Sequence, residues 1–85
     1  MSKKIIVRQM KAARALLAWS QADLADASGV SEPTIARLES EDGELGGRPE
    51  TGQKLVAALE RAGVEFIGAN GEGLGVKMKR RVKRG

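Results

Sequence analysis

Residues 20–39 read SQADLADASGVSEPTIARLE, and the spacing of their capping residues predicts the fold. Ser20 suits a helix N-cap, because its hydroxyl can accept a hydrogen bond from a free N–H of the first turn. Asp23, three residues later, is a weaker version of the capping-box acid. Gly29 is predicted to end this helix in the left-handed conformation, which glycine adopts without strain.

The same signals recur directly after Gly29. Ser31 is a second N-cap, and Pro33 lies in the first turn of the next helix, where its missing N–H costs little. A hydrophobic staple accompanies each cap: Trp19 with Leu24, and Val30 with Ile35. The apolar seam between the two helices is predicted to contain Leu24, Ala25, Val30, Ile35 and Leu38. The stretch therefore predicts a helix-turn-helix.

The pattern Ser-Gln-x-x-Leu-Ala-x-x-x-Gly-Val-Ser-x-x-Thr-Ile-x-x-Leu-Glu resembles the DNA-binding unit of the Cro/repressor-like (XRE) family. The match is dense over residues 20–39 and looser over residues 5–63. The resemblance implies that the second motif helix enters the major groove of DNA and presents its first turns to base edges. It places the DNA-facing positions on Ser31, Glu32, Pro33, Thr34 and Arg37, and a phosphate-side contact on Gln21.

The side chains at these positions suit base reading. Arg37 has the bidentate donor fork that suits guanine, and Glu32 can accept a hydrogen bond from the cytosine amino group. Thr34 can offer a methyl group to thymine or a hydroxyl to phosphate, and the Pro33 ring can touch a thymine methyl.

Each of these residues also has a purely structural interpretation. Glu32 can complement the dipole at the helix N-terminus, Pro33 can simply start the helix, and Thr34 can belong to the cap. Arg37 can form a surface ion pair with Glu41 one turn on, which is worth about 0.3–0.5 kcal/mol. Gln21 can be a plain exposed residue.

Two further helices flank the motif. The first is predicted over residues 6–17, where apolar residues recur at helical spacing: Met10, Ala13, Leu16 and Leu17. An acidic, glycine-rich loop over residues 40–48 follows the motif. The last helix is predicted to start at Pro49 and to stop at Gly63.

The remaining residues favour β-structure. Residues 64–67 favour a strand, residues 68–73 a turn, and residues 75–82 alternate between apolar and mostly basic side chains. A two-stranded hairpin is marginally stable alone, so this one must lie on the helices or pair with a second subunit. The alternative is a flexible tail beyond Ile67.

The predicted fold is therefore mainly α, a four-helix repressor-like helix-turn-helix domain followed by a C-terminal β-hairpin and basic tail. Residues 1–63 are assigned to the DNA-binding domain. Residues 64–85 are assigned to the hairpin and tail, which can form a dimer contact across a two-fold axis.

The net charge of +4 is unevenly distributed. Residues 77–85 hold six basic side chains and no acid, whereas residues 23–50 hold eight acids against Arg37 and Arg48. An acidic motif needs positive charge from elsewhere to approach DNA. The predicted phosphate contacts are Lys3, Lys4, Arg8, Lys79, Arg80 and Arg81. The alternative is that these basic runs are solvated.

The composition argues against an enzyme. The chain has no histidine, cysteine or tyrosine, so it lacks the common general bases, thiol nucleophiles and metal clusters. We predict no catalytic residue, no cofactor and no metal. No segment approaches membrane-spanning length, which predicts a cytoplasmic protein without a membrane partner. The family resemblance implies a protein of bacterial or phage type that is nucleoid-associated when bound.

These observations predict a sequence-specific DNA-binding transcriptional regulator that acts as a homodimer on a near-palindromic operator. The first alternative is an antitoxin-like or anti-repressor protein that works mainly through a protein partner. The second is a non-specific nucleic-acid binder that uses its basic ends.

Overall fold

The computed structural model describes residues 5–68 and 74–79. The elements in chain order are α1 (Val7–Leu17), α2 (Gln21–Ser28), α3 (Glu32–Glu39), α4 (Pro49–Arg61), β1 (Val64–Ile67) and β2 (Gly75–Met78). The prediction of four helices followed by a hairpin is confirmed. The predictions for residues 69–73, for the end of the second strand and for the basic tail lie outside the described residues.

Local capping defines the helix-turn-helix unit as predicted. The Ser20 hydroxyl accepts from the backbone N–H of Asp23 at 3.0 Å, and the Asp23 carboxylate accepts from the N–H of Ser20 at 2.9 Å. The Ser31 hydroxyl accepts from the N–H of Thr34 at the start of α3. Gly29 has a φ of 80°, so it ends α2 in the left-handed region.

One apolar core holds the helices together. Its fully buried side chains come from all four helices and from β1: Val7, Met10, Leu24, Ile35, Leu55, Leu59 and Val64. Burying a side chain of this size contributes about 1.5–3 kcal/mol. Since α2 and α3 each place a fully buried side chain in this core, it holds the motif helices against the rest of the domain.

The predicted apolar face of α1 is wrong at one position. Met10 and Ala13 are buried and Leu17 packs against the core, but Leu16 is 45% exposed. Leu16 lies seven residues, about two turns, after the polar residue Gln9 and therefore on nearly the same side of α1. Gln9 is buried and hydrogen-bonded to the hairpin, whereas Leu16, at the other end of the helix, is not covered.

Gln9 connects α1 to the hairpin. Strands β1 and β2 are antiparallel, with Val64 opposite Met78 and Ile67 opposite Gly75. The Gln9 side-chain Nε2 donates to the backbone oxygens of Ile67 and Gly75, both at 3.0 Å. Its Oε1 accepts from the backbone N–H of Ile6 at 2.9 Å. The described part of the hairpin is therefore a docked element rather than a tail.

The left-handed turn between α2 and α3 is open to a direct test. Gly29→Ala is expected to lower the free energy of unfolding by about 1–2 kcal/mol, because a Cβ disfavours this backbone conformation. No atom lies within 4 Å of the added Cβ, so the cost is confined to the backbone.

Gly46→Ala is the matched control, because its surroundings are equally open and its φ lies outside the left-handed region. Chemical denaturation of both variants measures the difference. Equal losses in the two variants would contradict the assignment of strain to Gly29.

Candidate nucleic-acid interface

Helix α3 has one buried face and one exposed face. Ile35, Leu38 and Glu39 are buried in the domain. The exposed residues recur at a spacing of three or four along the same helix and its C-cap: Glu32, Pro33, Ala36, Arg37 and Ser40. We call these five residues the α3 stripe. It contains three of the predicted base-reading residues, together with Ala36 and Ser40, which the motif did not single out.

The guanidinium of Arg37 is available on the α3 stripe. The structure contains no ion pair between Arg37 and Glu41, the contact on which the structural interpretation of Arg37 depends. Within the described residues, the Arg37 side chain has no hydrogen-bond partner, and its backbone oxygen accepts from the N–H and the hydroxyl of Ser40. The five donors of the Arg37 side chain are therefore open to an external acceptor.

Ser31 and Thr34 are used locally at the start of α3. The Ser31 hydroxyl donates to the Thr34 hydroxyl at 2.9 Å, in addition to accepting from the Thr34 backbone N–H. Thr34 is half-buried whereas Ser31 is exposed. The contacts favour a capping role for Thr34. Of the four exposed predicted positions, Ser31 uses its hydroxyl in the cap, which leaves Glu32, Pro33 and Arg37.

A buried ion pair holds α3 against α1. Arg14 donates from Nε and Nη2 to the two carboxylate oxygens of Glu39, at 2.7 and 2.6 Å. Its Nη1 donates to the backbone oxygen of Trp19 at 2.9 Å, just before α2. The Glu39 side chain is 4% exposed and that of Arg14 is 19% exposed. Sequence reasoning missed this pair, although Glu39 lies at helical spacing from the apolar positions Ile35 and Leu38.

Gln21, the predicted phosphate contact, belongs to the same network. Its Nε2 donates to Glu39 Oε1 at 3.0 Å, and the residue is half-buried. A glutamine amide has two donor hydrogens, so one remains for a second acceptor. The network thus orients Gln21 at the start of α2 while leaving part of its hydrogen-bonding capacity unused.

The network shifts the ionisation of both charged partners. Burial disfavours the ionised form of Glu39, but the hydrogen bonds from Arg14 and Gln21 outweigh it and lower the pKa of Glu39. The hydrogen bond to Glu39 raises the pKa of Arg14 above its already high value. Both groups are therefore charged at neutral pH.

Arg8, a predicted phosphate contact, is already paired with an acid. Its Nε and Nη2 donate to the two carboxylate oxygens of Asp42, both at 3.2 Å, in an exposed ion pair. The backbone N–H of Gly43 and then the Arg8 guanidinium lower the pKa of Asp42. Two backbone hydrogen bonds hold this acidic loop against the N-terminal segment: Val7 N to Gly43 O at 2.8 Å, and Leu45 N to Ile5 O at 3.1 Å.

Of the other predicted phosphate contacts, Lys79 alone belongs to the described residues. Lys79 is exposed directly after β2. Lys3, Lys4, Arg80 and Arg81 lie outside the described residues.

Over the described residues, no three His, Cys, Asp or Glu side chains are grouped to hold a metal ion. No helix found there has the length and apolarity needed to cross a membrane.

The buried pair predicts a specific pH dependence of stability. Glu39 has a lower pKa when folded than the value of about 4.3 expected when unfolded. Its stabilising contribution is therefore complete above the unfolded pKa and is lost as the pH falls through the folded pKa. At pH 7, Glu39→Gln is expected to lower the free energy of unfolding by about 3 kcal/mol, since Arg14 would lose its charged partner. This is the low end of the range for a broken buried pair, because the Arg14 side chain is 19% exposed.

The difference in unfolding free energy between wild type and Glu39→Gln should shrink as the pH is lowered below 4. Urea denaturation at a series of pH values measures this difference. The contributions of the other carboxylates to the pH dependence are common to both proteins and cancel when the difference is taken. A difference that stays constant down to the lowest pH would contradict the assignment.

The Arg8–Asp42 pair predicts that removing the acid strengthens DNA binding. Asp42→Asn frees the Arg8 guanidinium and should raise affinity for all duplexes alike. The plot of log K against log salt should steepen by about 0.9, as expected for one additional phosphate contact. Fluorescence anisotropy over a salt series measures both quantities. The double variant Arg8→Ala/Asp42→Asn is the control, and a gain that survives in it would exclude Arg8 as the cause.

Comparison with known proteins agrees with this geometry. A family profile described as helix-turn-helix matches residues 10–62, more than half of the chain. A search of curated proteins found no significant match. The matched range includes all of α2, α3 and α4, together with both members of the Arg14–Glu39 pair. The chain therefore belongs to the Cro/repressor-like (XRE) family of helix-turn-helix DNA-binding transcription regulators.

Proposed function

We propose that this protein binds a near-palindromic operator as a homodimer and regulates transcription by occupying it. The observation that carries the proposal is the α3 stripe, in which Arg37 is exposed and forms no ion pair with any described residue. The helix that bears it is capped at its start and anchored at its end. A helix held in this way, with one exposed face that carries both polar and small apolar side chains, suits insertion into the major groove.

The α3 stripe also favours particular bases. Arg37 suits the O6 and N7 atoms of guanine, and Glu32 suits the amino group of cytosine. Pro33 and Ala36 are small and apolar, and such side chains contact the methyl group of thymine. We therefore expect each half-site to contain a guanine–cytosine pair read by Arg37 and a thymine close to it.

Contacts to the DNA backbone would set the position of α3 in the groove. We propose that the second amide hydrogen of Gln21 binds a phosphate, and that Ser31 faces the DNA separately, at the start of α3. Lys3, Lys4, Lys79, Arg80 and Arg81 are proposed to neutralise flanking phosphates, which would offset the acidic charge of the motif.

A dimer follows from the small size of one recognition surface. One helix reads only a few base pairs, and two copies related by a two-fold axis read a palindrome. The two half-sites should then lie about 10–10.5 base pairs apart, or a multiple of this distance. A duplex target also implies a cytoplasmic location.

The first experiment is selection of bound fragments from a random duplex pool at physiological salt, followed by sequencing. We expect an enriched palindrome. On the enriched site, Arg37→Ala should then cost about 1–3 kcal/mol of binding free energy, with little effect on random duplex. Arg48→Ala is the matched control, because Arg48 is an exposed arginine that lies outside the α3 stripe.

Three outcomes would contradict the proposal in different ways. Equal losses for Arg37→Ala on enriched and random DNA would exclude base reading by Arg37. Binding without enrichment, which falls steeply with salt and depends on residues 77–85, would indicate a non-specific nucleic-acid binder. The absence of DNA binding would favour the antitoxin-like or anti-repressor alternative, with a protein as the partner.

A further inference from the structure

The hydrogen-bond pattern of the hairpin defines which residues form the outer edge of β2. The backbone N–H of Lys79 donates to the oxygen of Gly63 at 2.7 Å, which continues the register that places Lys77 opposite Glu65. In an antiparallel ladder, hydrogen-bonded and non-hydrogen-bonded pairs alternate. The backbone groups of Lys77 and Lys79 therefore face β1, and those of Val76 and Met78 face the outer edge.

This outer edge has no strand beside it in the part of the chain that the structure describes, because the sheet there contains β1 and β2 alone. An unpaired strand edge is a template for pairing with another strand. Leu74, which directly precedes β2, is 57% exposed. The edge thus combines open backbone groups with an exposed apolar side chain.

We propose that a second copy of this chain pairs with this edge, β2 against β2, in one register with Val76 opposite Val76 of the partner subunit. The pairing forms a four-stranded antiparallel sheet across the two-fold axis. It rests on the homodimer of the proposed function and specifies how that dimer is built.

Like charges select this register among those that a two-fold axis allows. Within β2, the outward backbone groups of Val76 and Met78 can meet those of a second copy in three ways, with Val76 opposite Val76, Val76 opposite Met78, or Met78 opposite Met78. The second arrangement places Lys77 opposite Lys77, and the third places Lys77 opposite Lys79. Like charges directly opposite each other are destabilising. The first arrangement places Lys77 opposite Gly75, which has no side chain.

The selected register also pairs apolar residues. It places Leu74 opposite Met78 of the partner subunit, and the two-fold axis makes this contact twice. The Lys77 ammonium lies 3.9 Å from the Glu65 carboxylate within its own hairpin, which reduces repulsion between the two copies. A two-stranded sheet is marginally stable, so extension to four strands would stabilise both hairpins.

Disulfide cross-linking tests the register, because the chain contains no native cysteine. In the proposed pairing, residues 75 and 77 of opposite copies form a non-hydrogen-bonded pair with Cα atoms about 4.5 Å apart, within the range of a disulfide. Gly75 has no left-handed φ and has open space around an added Cβ, so Gly75→Cys fits there.

Mixing the Gly75→Cys and Lys77→Cys proteins under mild oxidation should give a covalent dimer that contains one copy of each. Lys77→Cys alone should give no more dimer than Lys54→Cys, a control at an exposed position of α4. Efficient cross-linking of Lys77→Cys alone would show the register with Lys77 opposite Lys77 and would overturn the proposal. Absence of cross-linking in the mixture would overturn it as well.

Val76→Pro tests the edge without cysteines. Proline removes an N–H that faces away from β1, and proline is tolerated where an edge-strand N–H points outward. Light scattering should show a dimer for the wild type and a monomer for Val76→Pro, with unchanged far-UV circular dichroism. A monomeric wild type, or a dimeric and folded Val76→Pro, would overturn the proposal.

The operator-binding proposal and the β2-pairing proposal can be refuted independently. A protein that cross-links as expected but selects no DNA sequence would retain the β2 pairing and refute operator binding. A protein that selects a palindrome but gives no cross-link in the mixture would retain operator binding and refute the β2 pairing.

Discussion

The arrangement of the motif helices depends on the buried ion pair between Arg14 and Glu39. Arg14 also binds the backbone oxygen of Trp19, and Glu39 also accepts from Gln21. The network thereby joins α1, the start of α2 and the end of α3. Desolvation offsets much of the Coulomb energy of a buried pair, so its main contribution is to define one geometry rather than to add net stability. That geometry directs the opposite face of α3 outward.

Two arginines of α1 form ion pairs with acidic residues at the end of the motif and in the loop that follows it. Arg8 and Arg14 on α1 pair with Asp42 and Glu39, and the field of Lys11 helps to lower the pKa of both carboxylates. The acidic residues that make the motif negative are thus partly compensated from α1. A count of charges along the chain misses this compensation. It explains how an acidic motif can present a single unpaired arginine on its exposed face.

The hairpin is part of the same folded unit because Gln9 binds it from α1. One buried amide serves three backbone groups, one at the N-terminus of α1 and two at the turn end of the hairpin. A buried amide with satisfied donors and acceptors costs little, whereas an unpaired one is expensive. This contact fixes the position of β2 relative to α1. The position of β2 in turn determines which strand edge is available to a second subunit.

The sequence by itself determined the elements whose causes are local. The caps Ser20 and Ser31 and the turn at Gly29 depend on interactions within a few residues, and the structure contains all three. The alternation predicted after residue 74 agrees with the structure as far as residue 79, where the described residues end. The tertiary structure alone decided which polar residues meet inside. Arg14 and Glu39 are 25 residues apart, and Gln9 reaches partners 58 and 66 residues away. Such contacts depend on how the helices pack, because periodicity indicates which face is buried but not what that face meets.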